Sequence, residues 1–275
     1  MHTLFNIKNN EEISFPSDID ELDPAQYLAY IKLIHEAEVN NMLIKELREH
    51  LLKIACPVDF GFCMLKMSKS DIDAMWERLY QWSEKMDSFF DIDETNNKRI
   101  YRAHLKCGAT LLPIWNNYRG PEDMLNNITW GEFVSCMNLL NIYKDLFDSG
   151  DIKGADAVMT DLFHVLYKPI SKKKKKEEIP MYIKLHVFYF FSHVFELVST
   201  VPIPIHGSEI DFSIIFSDKG SSGKDNRMGW NGLVFAVAES GVFGRAEDVN
   251  KESFWSVMLY LYKCAFDNKN LKDKK

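Results

Sequence analysis

The run Thr129-Trp130-Gly131-Glu132-Phe133-Val134-Ser135-Cys136-Met137 decides the fold class. Thr129 and Glu132 stand at the spacing of a capping box, in which a hydroxyl and a carboxylate exchange hydrogen bonds with each other's backbone amides at a helix start. Beyond it Phe133, Met137, Leu140 and Tyr143 recur at helical spacing, so one face of the predicted helix is apolar. Asp148-Ser149-Gly150-Asp151 stops it, and Ala157 to Tyr167 resumes the period as far as Lys168-Pro169.

The same signals repeat toward the N-terminus. Asp23-Pro24-Ala25-Gln26 offers an N-cap, a proline at the first helical position and a glutamine at the third. Tyr27, Ile31 and Ile34 share a face of the helix that follows. Leu43, Leu47 and Leu51 form a second stripe ended by Cys56-Pro57, which predicts a helical hairpin. Ser70 is placed to cap a further amphipathic helix over Asp71 to Phe90, marked by Ile72, Met75, Trp76, Leu79 and Met86. Ahead of all of these, Phe5 and Ile7, then Ile13 and Phe15, alternate with polar neighbours around Lys8 to Glu12, the pattern of a short β-hairpin.

Toward the C-terminus, Met181 to Val201 is the most apolar stretch. Lys184, His186, His193 and Glu196 interrupt it and Pro202 and Pro204 close it, so it reads as a buried core helix rather than a membrane span. Ile210, Phe212, Ile214 and Phe216 alternate as a strand, Asp218 to Gly229 is turn-rich, and helices are predicted over Trp230 to Ser240 and Lys251 to Asp267. The fold class is therefore mainly α, bundle-like, with a small N-terminal β-hairpin and a short additional strand. Lys172 to Lys176, followed by Glu177 and Glu178, has no apolar partner and must be solvated. Residues 171–180 are thus expected to form an exposed loop between a hairpin-plus-helical region, 1–170, and a helical region, 181–275, the two packed as one body.

A chain of 275 residues with 46% hydrophobic content can fill a core. Its 40 acidic residues against 33 basic give a formal charge of -7, which works against nonspecific attraction to nucleic acid or an anionic membrane, so neither is an expected partner. Cys56, Cys63, Cys107, Cys136 and Cys264 are odd in number and contain no C-x-x-C pair, and Met1-His2-Thr3-Leu4-Phe5 lacks the blocks of a signal peptide. Reduced thiols in a cytoplasmic protein are the expectation.

Sequences that approach a chemical motif fail at the positions that matter. Gly220-Ser221-Ser222-Gly223-Lys224 resembles a phosphate loop, but Asp218 stands where its first glycine belongs and Asp225 where the magnesium-binding hydroxyl belongs. A calcium loop from Asp91 would gain Asp93 and Thr95, yet it has Asn96 for the glycine and Arg102 for the bidentate glutamate. His186, His193 and Glu196 could share a helix face and hold a metal, or be structural side chains bonded to neighbours. The lysine run abuts glutamates and has no interleaved aromatics for stacking on bases. No G-x-S-x-G elbow occurs. The expectation is a protein that is not an enzyme, with no catalytic, cofactor-binding or metal residues.

Several segments together resemble an uncharacterised group of proteins from phages and prophages of Bacteroidetes that are comparable with siphophage tail assembly chaperones. They are Leu22-Asp23-Pro24-Ala25-Gln26-Tyr27-Leu28, Tyr118-Arg119-Gly120-Pro121-Glu122-Asp123, Asn127-Ile128-Thr129-Trp130-Gly131-Glu132-Phe133, Leu162-Phe163-His164-Val165-Leu166-Tyr167-Lys168-Pro169 and Gly229-Trp230-Asn231-Gly232. The resemblance implies a helical protein of the bacterial host cytoplasm that coats apolar helical segments of a tape measure protein before the tail tube polymerises. The alternative it leaves is a structural virion or head-to-tail connection protein. The chain departs from the chaperone pattern in its size and in the apolar helix and strand after the lysine run.

The C-terminal helix suggests where a partner would sit. Phe254, Trp255, Met258, Leu259, Leu261 and Tyr262 cover more than one face after a cap at Asn250, and Gly229 and Gly232 beside Trp230 would let the preceding helix approach closely. Either the whole arc is buried in the chain's own core, or Trp230, Phe254, Trp255, Met258 and Tyr262 are partner-contact residues.

Overall fold

Both capping boxes read from the sequence form. The Asp23 carboxylate accepts from the amides of Ala25 and Gln26, each at 2.8 Å, while the Gln26 side chain accepts from the Asp23 amide at 3.1 Å. At Thr129 the hydroxyl accepts from the Glu132 amide at 3.3 Å, and the Glu132 carboxylate accepts from the Thr129 amide at 3.0 Å. They start α1 (Pro24–Asn40) and α4 (Trp130–Asp148) in a computed structural model that describes residues 1–6, 11–56, 68–95, 98–171, 178–205, 207–217 and 229–272. The other helices are α2 (Ile44–Ala55), α3 (Lys69–Ser83), α5 (Ile152–Leu166), α6 (Met181–Thr200), α7 (Ser213–Ser217), α8 (Gly229–Glu239), α9 (Ala246–Val249) and α10 (Phe254–Lys272). Small antiparallel pairings complete a mainly α fold: β1 (His2–Asn6) with β2 (Glu11–Phe15), and β3 (Phe90–Thr95) with β4 (Lys98–Ala103). β5 (Ile114–Trp115), β6 (Tyr118–Arg119) and β7 (Lys168–Pro169) make a three-stranded sheet, and β8 (Ile203–Ile205) pairs with β9 (Ser208–Ile210).

The chain divides into two compact units, one of Met1–Cys107 with Met181–His186, the other of Gly108–Pro180 with Val187–Lys275. The boundary therefore falls after Cys107 rather than at the lysine-rich segment. Backbone bonding explains this: Gly108 turns into the second unit, where its carbonyl accepts from the Met124 amide at 3.2 Å. Lys172 to Glu177 lie outside the described residues; Ser171 and Glu178 on either side are exposed.

In the first unit, α1 and α2 bury Tyr27, Tyr30, Ile31, Ile34, Leu51 and Leu52, joined by Phe15 of the N-terminal hairpin. The helix expected to reach Phe90 ends at Ser83, whose hydroxyl bonds back to the Tyr80 carbonyl at 2.7 Å; a 3-10 turn, Glu84–Phe89, then leads into β3. Ser70 lies inside α3 rather than capping it. Leu43 does not join the buried stripe of Leu47 and Leu51, because α1 ends on Asn41 in the left-handed region (φ 51°) and the reversal leaves Leu43 outside.

The first turns of α6 give this unit a buried histidine. The Tyr27 hydroxyl and His186 Nδ1 lie 2.6 Å apart, edge to face, with both residues buried. Burial pushes the imidazole pKa down from 6.5 to about 4. Between those values the unfolded chain binds a proton that the folded one does not, so this contribution to stability is complete above pH 6.5 and is lost as pH falls toward 4. Thermal unfolding followed across that range should show a declining midpoint, with a shallower decline for His186→Gln.

In the second unit, Phe133 is the hub. Its ring lies 5.8 Å from Phe191, 6.1 Å from Phe195, 5.4 Å from Trp230 and 4.6 Å from Phe254. The starts of α4 and α10 are tied together, since the Trp130 amide donates to the Glu252 carbonyl, the Gly131 amide to Asn250 and the Phe254 amide to Ile128. Asn250 closes α9 instead of capping α10; Ser253 accepts from the Ser256 amide at 3.1 Å there. A Cβ on Gly131 would meet the Asn250 carbonyl oxygen at 2.9 Å. Gly131→Ala should therefore destabilise this unit by roughly 1 kcal/mol or more in chemical denaturation, backbone crowding outweighing the gain in helix propensity.

The strand expected over Ile210 to Phe216 is correct only at Ile210. Asp211 accepts from the Ser213 amide at 3.0 Å and the chain turns helical as α7, so Phe212 is buried against the rings of Trp255 and Tyr262. The apolar α6 buries Ile183, Val187, Phe191, Val194 and Val198, and no helix among the described residues is long and apolar enough to cross a membrane.

Candidate protein-docking groove

The residues singled out on the C-terminal helix separate. Phe254 and Met258 are each 1% exposed, so they are core and a partner cannot reach them. The reason is the tie between the starts of α4 and α10, which packs the Phe254 ring against Phe133 and Trp130; Met258 follows one turn later on the same helix face. Trp255 is half-buried and spends its indole N–H on the Met124 carbonyl at 3.1 Å. Tyr262 is half-buried and stacks on Phe266, and Trp230 is half-buried, edge-on to Phe133 and Phe195.

The remaining candidates resolve individually. His186 is engaged by Tyr27, and His193 Nδ1 lies 3.5 Å from Glu196 Oε2. No group of three or more potential metal ligands occurs among the described residues. The calcium-like segment is the β3–β4 hairpin, with Asp91 opposite Arg102 and its carboxylate 2.9 Å from His104 Nε2. Gly220 to Lys224 lie outside the described residues. Cys56, Cys107 and Cys136 are buried thiols outside any disulfide, Cys107 donating to the Asp20 carboxylate at 2.7 Å, and burial raises the Cys136 thiol pKa so that it stays protonated.

What the sequence did not single out is a groove in the first unit, of about 350 Å³, between the α1–α2 hairpin and the β3–β4 hairpin. Ile34, Ala37 and Leu47 form one side with Met42 and Ile44 at the helix corner; Phe90, Tyr101 and Ala103 form the other, and Glu38 is the one charged lining residue among the described residues. Its strand side follows from register. Phe90 faces Ala103 and Ile92 faces Tyr101 across the ladder, so the four side chains share a face. Ile92, 37% exposed, carries the apolar strip beyond the groove.

A part-buried ion pair holds the two walls in place. Arg48, next to Leu47 on α2, donates from Nε and Nη2 to the two Asp87 carboxylate oxygens, each at 2.6 Å. Its Nη2 also donates to the Tyr101 hydroxyl at 3.0 Å, and the guanidinium lies 5.1 Å from the Tyr101 ring centre. Phe90 meets the same ring edge-on at 5.9 Å. The groove is thus preformed, with mostly apolar lining side chains, an adaptable methionine at the corner and a Tyr101 wall held by one hydrogen bond and a cation–π contact from Arg48.

No protein-family model matches the chain, and neither a curated protein nor a solved structure matches it significantly.

A second concavity, of about 440 Å³, lies in the second unit around Thr110, Ile114, Arg119 and Asp123. Its walls are built by local bonds: the Thr110 amide donates to Asp123 at 2.6 Å and the Thr110 hydroxyl to the Pro121 carbonyl at 2.8 Å. Met124 and Leu125 just beyond hold positive φ, 52° and 60°. Its mixed charges offer less to an apolar partner than the groove of the first unit does.

Proposed function

We propose that this chain is a non-enzymatic protein-binding module of a phage, tail assembly chaperone-like, that holds apolar helical segments of a tape measure protein in the host cytoplasm during tail assembly. The observation that carries the binding part is the preformed groove between α1–α2 and β3–β4, whose lining side chains are mostly apolar. Apolar surface of this kind is the means by which a groove takes up the apolar face of a partner helix. The resemblance described above supplies the tape measure protein and the phage setting.

Occupancy of finished particles tests the role. A chaperone leaves before the tail is complete, so mass spectrometry of purified particles should find none of this chain. Its presence at fixed copy number would instead make it a structural virion or head-to-tail connection protein. A gene position directly upstream of a tape measure gene agrees with the chaperone role.

A further inference from the structure

At the corner that closes the groove, α1 ends on an ordinary left-handed asparagine cap, but Glu38 and Leu43 depart from the usual preferences of helix ends. Glu38 sits in the last turn of α1, which contains no basic side chain, although the C-terminal end of a helix carries partial negative charge and favours cations. α2 begins on Leu43, which gives its first turn no side-chain hydrogen bond, where serine, threonine, aspartate or asparagine would satisfy an amide. Leu43 and Val39, on either side of the left-handed Asn41, are 68% and 65% exposed. Among the described residues, the neighbouring charges do not offset these features. Glu46 answers the positive end of α2, Lys45 lies over the Tyr80 ring, and the charge of Arg48 is matched by Asp87. Departures from local rules without an evident gain inside the chain are expected at functional sites.

The geometry points to one occupant: a helical protein segment that presents a lysine or arginine flanked by apolar residues. Its cation meets Glu38 and the negative end of α1, and its apolar neighbours cover Leu43, Val39 and the groove floor. The aliphatic stem of a long basic side chain can lie along Val39 and Leu43 while its head reaches the carboxylate. The same acidic corner repels an anionic surface, so a protein segment and not a membrane fits it. This inference rests on the reading of the chain as a protein-binding module and adds the site and the sign of the partner's charge.

The test uses the full chain and two fluorescein-labelled synthetic helical peptides with the same leucine face, one flanked by lysines and its twin by glutamates, with anisotropy read at low salt. The lysine peptide should bind about tenfold or more tightly than its twin. Glu38→Lys should remove or reverse that preference. Leu43→Ser should weaken the lysine peptide while the unfolding temperature holds or rises, because serine caps α2. Equal binding of the twins, binding of neither, or an unchanged preference in Glu38→Lys overturns the proposal. So does self-association in sedimentation that Leu43→Ser dissolves, since the occupant would then be a second copy. Retention of the lysine peptide with no binding of a tape measure fragment removes the phage role and leaves the docking surface standing.

Discussion

Phe133→Ala is expected to destabilise the second unit by about 3 to 5 kcal/mol, the range for truncating a fully buried aromatic. Phe133 is 1% exposed and touches rings from α6, α8 and α10, so its loss leaves a cavity lined by side chains of four helices that cannot all collapse into it. Phe133→Leu, which keeps most of the volume, should cost well under half as much. Urea denaturation followed by tryptophan fluorescence is weighted toward this unit, because Trp115, Trp130, Trp230 and Trp255 belong to it and Trp76 and Trp82 to the first. A loss below about 1 kcal/mol for the alanine variant would contradict the hub assignment.

Asp87→Ala should cost about 3 kcal/mol in the first unit, because it leaves the buried Arg48 guanidinium without its counter-charge. The partial exposure of Asp87 places the effect at the lower end of the range for broken buried pairs. Replacing both partners with apolar residues, Arg48→Met with Asp87→Leu, should be milder than Asp87→Ala alone, since no charge is then stranded. The single variant also frees the Tyr101 wall, so it should weaken peptide binding at the groove beyond its effect on stability. Equilibrium denaturation of the variants, with anisotropy on the folded fraction, separates the two effects.

Helix starts were the most legible part of the sequence, because a cap is a local chemical device. Asp23 with Gln26 and Thr129 with Glu132 need only their own neighbours to form. Long-range packing was less legible. The alternation of Ile210, Phe212, Ile214 and Phe216 is a strand pattern, yet Asp211 caps a turn and Phe212 is drawn inward by Trp255 and Tyr262. The β3–β4 hairpin was missed although Phe90 and Ile92 alternate with Asp91 and Asp93, because the same acidic spacing also reads as the start of a calcium loop.

The candidate site was barely legible. The apolar arc of the C-terminal helix pointed to Phe254 and Met258, which the tie between α4 and α10 turns into core. The groove depends on bringing Ile34 and Leu47 opposite Phe90 and Tyr101, residues some forty or more positions away in the chain. One local clue was available: Leu43 breaks the stripe it was assigned to by sitting where a polar cap belongs.

Isothermal titration of the purified chain with an apolar helical fragment of a tape measure protein tests most directly the proposal that this groove binds such a segment. Saturable binding that Leu43→Ser weakens at least tenfold, with folding intact, is the predicted result. Absence of binding, or equal binding by the wild-type chain and Leu43→Ser, would contradict the account.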